Sequence, residues 1–221
     1  YCNGSWLSDY NYGKAQAYQE SGETKATAVY SSAQAMIEYS GSIAADGSVT
    51  LRPALARLET RRPVGSGDHT LRLKTRDGRI LDEAFTAVPV MDGRGAMAHF
   101  RVMLKSPGAV SSVEVLKRGR ALPVSLALPG RVRAAASSGR EGVEEPAVQW
   151  SESAGELKLS WNATAWPLLQ VRYRKGGSVV VLAGNLSGGS ATLSTRGLAS
   201  GGRFEFSLSQ GVDARVIDVA R

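Results

Sequence analysis

Thr70-Leu-Arg-Leu-Lys-Thr75-Arg-Asp77-Gly78-Arg-Ile80-Leu-Asp-Glu-Ala-Phe85-Thr86 is the stretch that decides the fold. Leu71 and Leu73 alternate with charged residues at a period of two, the spacing of a strand with one face in a core and the other in water. Asp77-Gly78 then supplies the residues of a tight hairpin, whose central positions need the positive φ that glycine adopts freely. Ile80–Thr86 is the returning strand. The segment predicts a β-hairpin.

The same signature continues in both directions. On the amino side, candidate strands Met36–Ser42 and Ser48–Leu55 flank a second hairpin turn at Asp46-Gly47. On the carboxyl side lie Ala98–Leu104, Ser112–Lys117 and Ala121–Leu128, with Asp92-Gly93-Arg94-Gly95 marking a longer loop before them. Phe100, Val102 and Leu104 share one face of their strand, as do Leu122, Val124 and Leu126. Short alternating strands separated by turn residues about every 8–12 positions are the pattern of a β-sandwich.

From Ala134 to Glu145 the chain turns small and charged without apolar periodicity, and Pro146 follows, so 134–146 is the expected linker. A second set of strands is predicted at Ala147–Glu152, Glu156–Trp161, Leu169–Arg174, Ser178–Ala183, Ser190–Ser194, Arg203–Leu208 and Ala214–Val219. Gly176-Gly177, Gly188-Gly189 and Gly201-Gly202 never lead from a strand into a helix with phosphate-cradling spacing, so they are read as turns. Residues 1–30 differ from the rest. Ser8 or Asp9 is a helix cap, and Leu7, Tyr10, Ala17 and Tyr18 recur at helical spacing. The expected organisation is therefore a helix in 1–30, a first sandwich over 31–133, a linker, and a second sandwich over 147–221.

Composition excludes several chemistries. The 221 residues hold two histidines, His69 and His99, and one cysteine, Cys2, too few for a zinc finger, an internal disulfide or an H-E-x-x-H site. No apolar run reaches the length of a membrane-spanning helix. The net charge of +7 is spread along the chain, with 16 basic and 12 acidic residues in 1–128 and 11 and 8 in 129–221. The basic clusters Arg61-Arg62 and Arg172-Tyr-Arg-Lys175 are short, so neither a nucleic acid nor a membrane span is expected as a partner. Arginine exceeds lysine and alanine is abundant, the usage of a GC-rich bacterial genome.

Candidate site residues are few. Trp150, Trp161 and Trp166 cluster, and Trp161 is expected in the core. Trp166, before Pro167 in the loop after a strand, is the candidate ligand-binding residue, as a stacking platform for a sugar ring. Tyr10, Tyr12 and Tyr18 are read as the packing face of a helix. Asp68-His69 lacks the nucleophile on a shaped turn that a triad needs. Cys2 has no partner in the chain. Asn3, Asn162 and Asn185 head glycosylation sequons that only a eukaryotic secretory route would use. No catalytic, metal-ligating or cofactor-binding residue is assigned.

Two resemblances add to this reading. Glu156-Leu-Lys-Leu-Ser-Trp161, Val171-Arg-Tyr173 and Leu198-x-x-Gly201-x-x-Phe204-x-Phe206-x-Leu208 resemble the skeleton of a fibronectin type III or related immunoglobulin-like domain. That implies a core tryptophan on the second strand, a tyrosine on the third, and a leucine six residues before an aromatic at a corner. Phe204 stands where the family has the corner tyrosine, so the hydroxyl that locks that corner is missing from this position. The chain is thus expected to be mainly β, two tandem immunoglobulin- or fibronectin III-like sandwiches preceded by a short helix.

Tyr1-Cys2-Asn3-Gly4-Ser5-Trp6-Leu7-Ser8-Asp9-Tyr10-Asn11-Tyr12 resembles the segment that closes the catalytic domain of secreted gametolysin-like zinc metalloproteases. Residues 36–128, with Ser40-Gly41, Asp46-Gly47, Leu81 to Phe85 and His99-Phe100, look like the β-module that follows in bacterial members. The family's zinc ligands and general base lie upstream of this segment, and none maps onto this chain. The resemblance implies a secreted or cell-surface bacterial protein in which this chain is the non-catalytic carboxyl-terminal region. Zinc would belong to the parent catalytic domain, and that domain and an extracellular protein or glycan would be the partners. A free-standing adhesin or carbohydrate-binding protein and a structural spacer without ligand are the rival readings.

Overall fold

The computed structural model describes residues 34–59, 65–91, 96–128, 131–134 and 145–221. The expected helix in 1–30, Cys2, the Asp92–Gly95 loop and most of the expected linker lie outside the described residues. Within them the chain is mainly β, in four sheets that make two β-sandwich modules, and no helix is present among the described residues.

The strands of the first module are β1 (Gln34–Ala44), β2 (Val49–Leu51), β3 (Leu55–Glu59), β4 (His69–Thr75), β5 (Ile80–Phe85), β6 (Val88–Met91), β7 (Ala96–Lys105), β8 (Val110–Lys117), β9 (Arg120–Ala121), β10 (Val124–Leu128) and β11 (Arg131–Ala134). One sheet has the order β11-β10-β2-β1-β7-β6, with β3 also paired to β1, and the other is β5-β4-β8-β9. The β4–β5 hairpin forms as its alternation predicts: Leu73 stands opposite Leu81, and Gly78 in the turn has φ 84°. Gly47 also has φ 84°, and Asp46 Oδ1 accepts the Ser48 backbone N–H at 2.8 Å. The core between the sheets holds Leu71, Leu73, Phe85, Phe100, Val102, Leu104, Val113 and Val115.

The second module comprises β12 (Val148–Ser153), β13 (Glu156–Trp161), β14 (Leu168–Lys175), β15 (Ser178–Leu186), β16 (Ser190–Ser194), β17 (Arg203–Ser209) and β18 (Ala214–Ala220). Sheet β12-β13-β16 faces sheet β15-β14-β17-β18 across a core of Leu157, Leu159, Trp161, Val171, Tyr173, Phe204, Phe206 and Leu208. Three strands against four is the layout expected of an immunoglobulin-like sandwich.

Sequence pattern alone misplaces one face. Arg203-Phe-Glu-Phe-Ser-Leu-Ser209 reads as a half-exposed strand, yet every residue of β17 from Phe204 to Ser209 is buried. Phe204, Phe206 and Leu208 enter the second core as the alternation dictates. Glu205, Ser207 and Ser209, on the other face, are covered because β17 and β18 pack against β3 of the first module. Val212, in the turn between β17 and β18, and Ala214, the first residue of β18, belong to the first module's core. Residues 33–221 therefore form one compact unit.

Candidate functional site

Trp166 is 1% exposed and packs in the second core. Its carbonyl accepts the Trp161 indole N–H at 3.0 Å, which ties the loop after β13 back onto that strand. Sugar stacking requires a ring face open to solvent, so this indole serves as core and not as the surface platform proposed from the sequence. The start of β14 dictates this burial, since Leu168 and Leu169 enter the core immediately and draw the loop inward. Asn162 Oδ1 accepts the backbone N–H groups of Thr164 and Ala165, at 2.9 and 3.1 Å, and shapes the same loop.

His69 opens β4, buried, with its ring stacked on Phe85 at 5.3 Å and Nδ1 2.7 Å from Asp68 Oδ1. The close approach lacks the direction of a full hydrogen bond. His99 is exposed on β7, opposite Ser42 and Val88, so the two histidines stand on different sheets of the module. Among the described residues no three His, Cys, Asp or Glu side chains are grouped to share a metal ion.

The concentration of buried polar groups lies instead at the seam between the modules. β3 pairs with β1 along one edge, which leaves alternate backbone N–H groups on its other edge without a strand partner. The second module supplies acceptors at matching intervals. Ala54 N–H donates to the Gly211 carbonyl at 2.7 Å, Ala56 N–H to Ser207 Oγ at 2.9 Å, and Leu58 N–H to Glu205 Oε1 at 3.4 Å. Arg174 Nη2 donates in return to the Leu58 carbonyl. The side chains of β17 thus do for β3 what a neighbouring strand's backbone would do. Alternation at period two, on both β3 and β17, makes this match possible.

Charge runs along the same seam. Glu205 Oε2 lies 2.9 Å from Arg174 Nη2, and Glu205 Oε1 lies 3.4 Å from Arg172 Nη2. Arg172 also reaches Glu59 of β3 at 3.9 Å. Burial holds the Arg172 guanidinium below the usual arginine range, while Glu205 opposes that shift. In the first module Glu38 is buried between Arg57 at 3.2 Å and Arg101 at 2.7 Å.

At the tip of the β17–β18 hairpin, the Tyr39 hydroxyl donates to the Val212 carbonyl at 2.9 Å. Arg215 Nη1 donates to the Gly108 carbonyl at 3.0 Å. Asp213 between them is fully buried, and Arg215 Nη2 approaches its Oδ2 at 3.5 Å. Burial pushes the Asp213 carboxyl up, against the opposing pull of Arg215 and of the Val110 and Ala214 backbone N–H groups. Burial also raises the Tyr39 phenol, and the nearby Asp213 charge adds to it.

The chemistry of this seam is that of a joint. Its carboxylates are paired with guanidinium groups or sealed from water, and its hydroxyls are engaged by backbone groups. Sequence reasoning passed over it because Glu205 and Ser207 look like solvent-facing residues of an alternating strand. The signal that was present is the alternation of Glu205, Ser207 and Ser209 on β17, two of them aligned with Ala56 and Leu58 on β3, legible only once the two strands are known to meet.

The fold and seam define a tandem β-sandwich protein whose modules are docked on each other. The sequence matches no protein-family model, and no curated protein matches it significantly.

Proposed function

We propose that this chain is the non-catalytic accessory region of a secreted zinc metalloprotease, and that its two docked modules act as one stiff arm that positions the protease on an extracellular protein or glycan. The observation that carries this reading is the seam. A positioning arm must hold an angle, and β3 is bonded to β17 through Ala56 and Leu58, to β14 through Arg174, and, just before β3, Ala54 is bonded to Gly211 in the β17–β18 turn. The likeness of Tyr1–Tyr12 to the closing segment of a gametolysin-like catalytic domain supports a parent of that family. Zinc and its activated water would belong to that parent domain, whose ligand pattern has no counterpart in this chain, and no step is assigned to these residues.

The test is to read the coding sequence upstream of Tyr1 for H-E-x-x-H, a third histidine and a methionine just before Tyr1, and then to compare the whole protease with one truncated before Gln34. Hydrolysis of a short soluble peptide should be kept, while cleavage of an immobilised extracellular substrate should fall about tenfold or more, as expected when a tethering module is lost. An upstream region without that zinc pattern, or equal losses on both substrates, sinks the reading. The seam equally suits a spacer without ligand. In that case substitutions in the end loops of the second module would leave cleavage of the immobilised substrate unchanged.

A further inference from the structure

We infer that the second module carries a self-association surface, the free edge of β15, through which two copies of this chain pair as antiparallel strands. β15 ends its sheet, with β14 on one side and no strand on the other among the described residues. It reads Ser-Val-Val-Val-Leu-Ala-Gly-Asn-Leu, nine residues without a charge or a proline. The other sheet edges are blunted: β6 by Pro89, β11 by Arg131 and Arg133, β5 by Asp82 and Glu83, β12 by Glu152, and β18 by Arg215 and Asp218, while β9 is two residues long and the five-residue β16 is largely polar. Those are the devices by which edges avoid pairing with other chains, and β15 lacks the side-chain ones.

Exposure identifies the occupant. A strand at a sandwich surface normally hides one of its two faces. Val179, Val180 and Val181 are 45%, 45% and 59% exposed, so consecutive valines lie open on both faces of the strand. The complement must be an uncharged strand that is apolar on both faces, and among the described edges β15 itself is that strand. Pairing with β14 is regular from Ser178 opposite Lys175 to Val181 opposite Arg172, and the register shifts beyond Val181. The regular stretch is therefore Ser178–Val181. A twofold axis through Val180, normal to the sheet, sets Val180 against its own copy and Val179 against Val181, so every valine meets a valine on its own face.

Charge favours the same arrangement. The guanidinium groups of Arg172 and Arg174, opposite Val181 and Val179 on β14, are engaged by Glu205, and antiparallel pairing places the two Lys175 side chains at opposite ends of the joint. So short a junction is smaller than a standard stable interface, and the pair is a reversible one.

Sedimentation velocity over a rising concentration series tests this on the full chain. The wild type should shift from monomer toward dimer. Val180→Lys should stay monomeric with an unchanged circular dichroism spectrum, and Val90→Lys, at an exposed valine on another edge, should associate like the wild type. Register is read separately in a Cys2→Ser background, where Val180→Cys should form an intermolecular disulfide on mild oxidation and Val179→Cys, which faces Val181, should not. A wild type that is monomeric at every concentration overturns the inference. Association unaffected by Val180→Lys, or cross-linking by Val179→Cys in preference to Val180→Cys, overturns it as well.

Discussion

Ser207 Oγ accepts the backbone N–H of Ala56 at 2.9 Å across the joint between the two modules, 151 residues apart in sequence. Ser207 is 3% exposed, and Ala56 is equally buried. A buried donor left without its acceptor costs more than the bond itself is worth, because water cannot replace what is lost. Ser207→Ala is therefore expected to lower stability by about 1–3 kcal/mol in urea titration. Ser207→Thr, which keeps an oxygen in reach, should recover part of it. A neutral Ser207→Ala would mean that this hydrogen bond does not hold the joint.

Glu205 carries more. Its removal leaves two guanidinium groups side by side at the seam, Arg172 with the 3.9 Å approach of Glu59 and Arg174 with the Leu58 carbonyl. Breaking one side of a buried ion pair typically costs about 3–5 kcal/mol, since the remaining charge is uncompensated. Glu205→Ala is expected to fall in that range by denaturant unfolding. Combining it with Arg172→Met should cost less than the sum of the single changes, and a double-mutant cycle measures the coupling.

Asp213 gives the opposite sign. Burial raises its carboxyl above the ordinary value, so the folded chain holds that proton more tightly than the unfolded chain. The stabilising contribution of this group is complete below the unfolded carboxylate value, about 3.9, and is lost as pH rises through the folded value. Arg215, Arg76 and the Tyr39 hydroxyl are the groups that face it. Asp213→Asn is expected to gain stability relative to the wild type as the pH is raised from 4 toward neutrality. Thermal melts of both proteins across that range check it, and a gain that instead grows toward acid would contradict the assignment.

The corner that Phe204 leaves without a hydroxyl is closed from the neighbouring strand. Tyr173 stands directly opposite Phe204 in the β14–β17 register, its ring 5.5 Å from that of Phe204, and its hydroxyl donates to the Ala199 carbonyl. Arg221 Nη1 donates to the Leu198 and Ala199 carbonyls, each at 3.0 Å, with its guanidinium 5.7 Å from the Tyr173 ring centre. Tyr173→Phe should cost about 1–2 kcal/mol by chemical denaturation. Gly202→Ala should cost at least as much, since a Cβ there would collide with the Tyr173 ring.

Local pattern carried much of this fold. Leu71, Leu73, Phe100 and Val102 alternate with polar neighbours, and Asp46-Gly47 and Asp77-Gly78 punctuate them, so strands and turns fall where period and turn chemistry put them. Leu55–Glu59 was hidden because it follows Pro53 in what reads as the end of one longer strand, and it is a separate strand that turns to meet the second module. Val88–Met91 was hidden by Pro89, which an edge strand tolerates. The joint was illegible for a different reason. Periodicity reports which residues share a face and is silent on what covers that face, so Glu205 and Ser207 read as wet. Trp166 was misplaced by the same limit, since a tryptophan before Pro167 in a loop carries no sign of whether the loop folds inward.

A seam bonded in this way makes the two modules move as one body. Residual dipolar couplings of backbone amides in a weakly aligned sample measure this directly. Couplings from residues 34–59, 65–91 and 96–128 and from 148–221 should fit a single alignment tensor, and Glu205→Ala should separate them into two. Two tensors of different magnitude in the wild-type chain would contradict it.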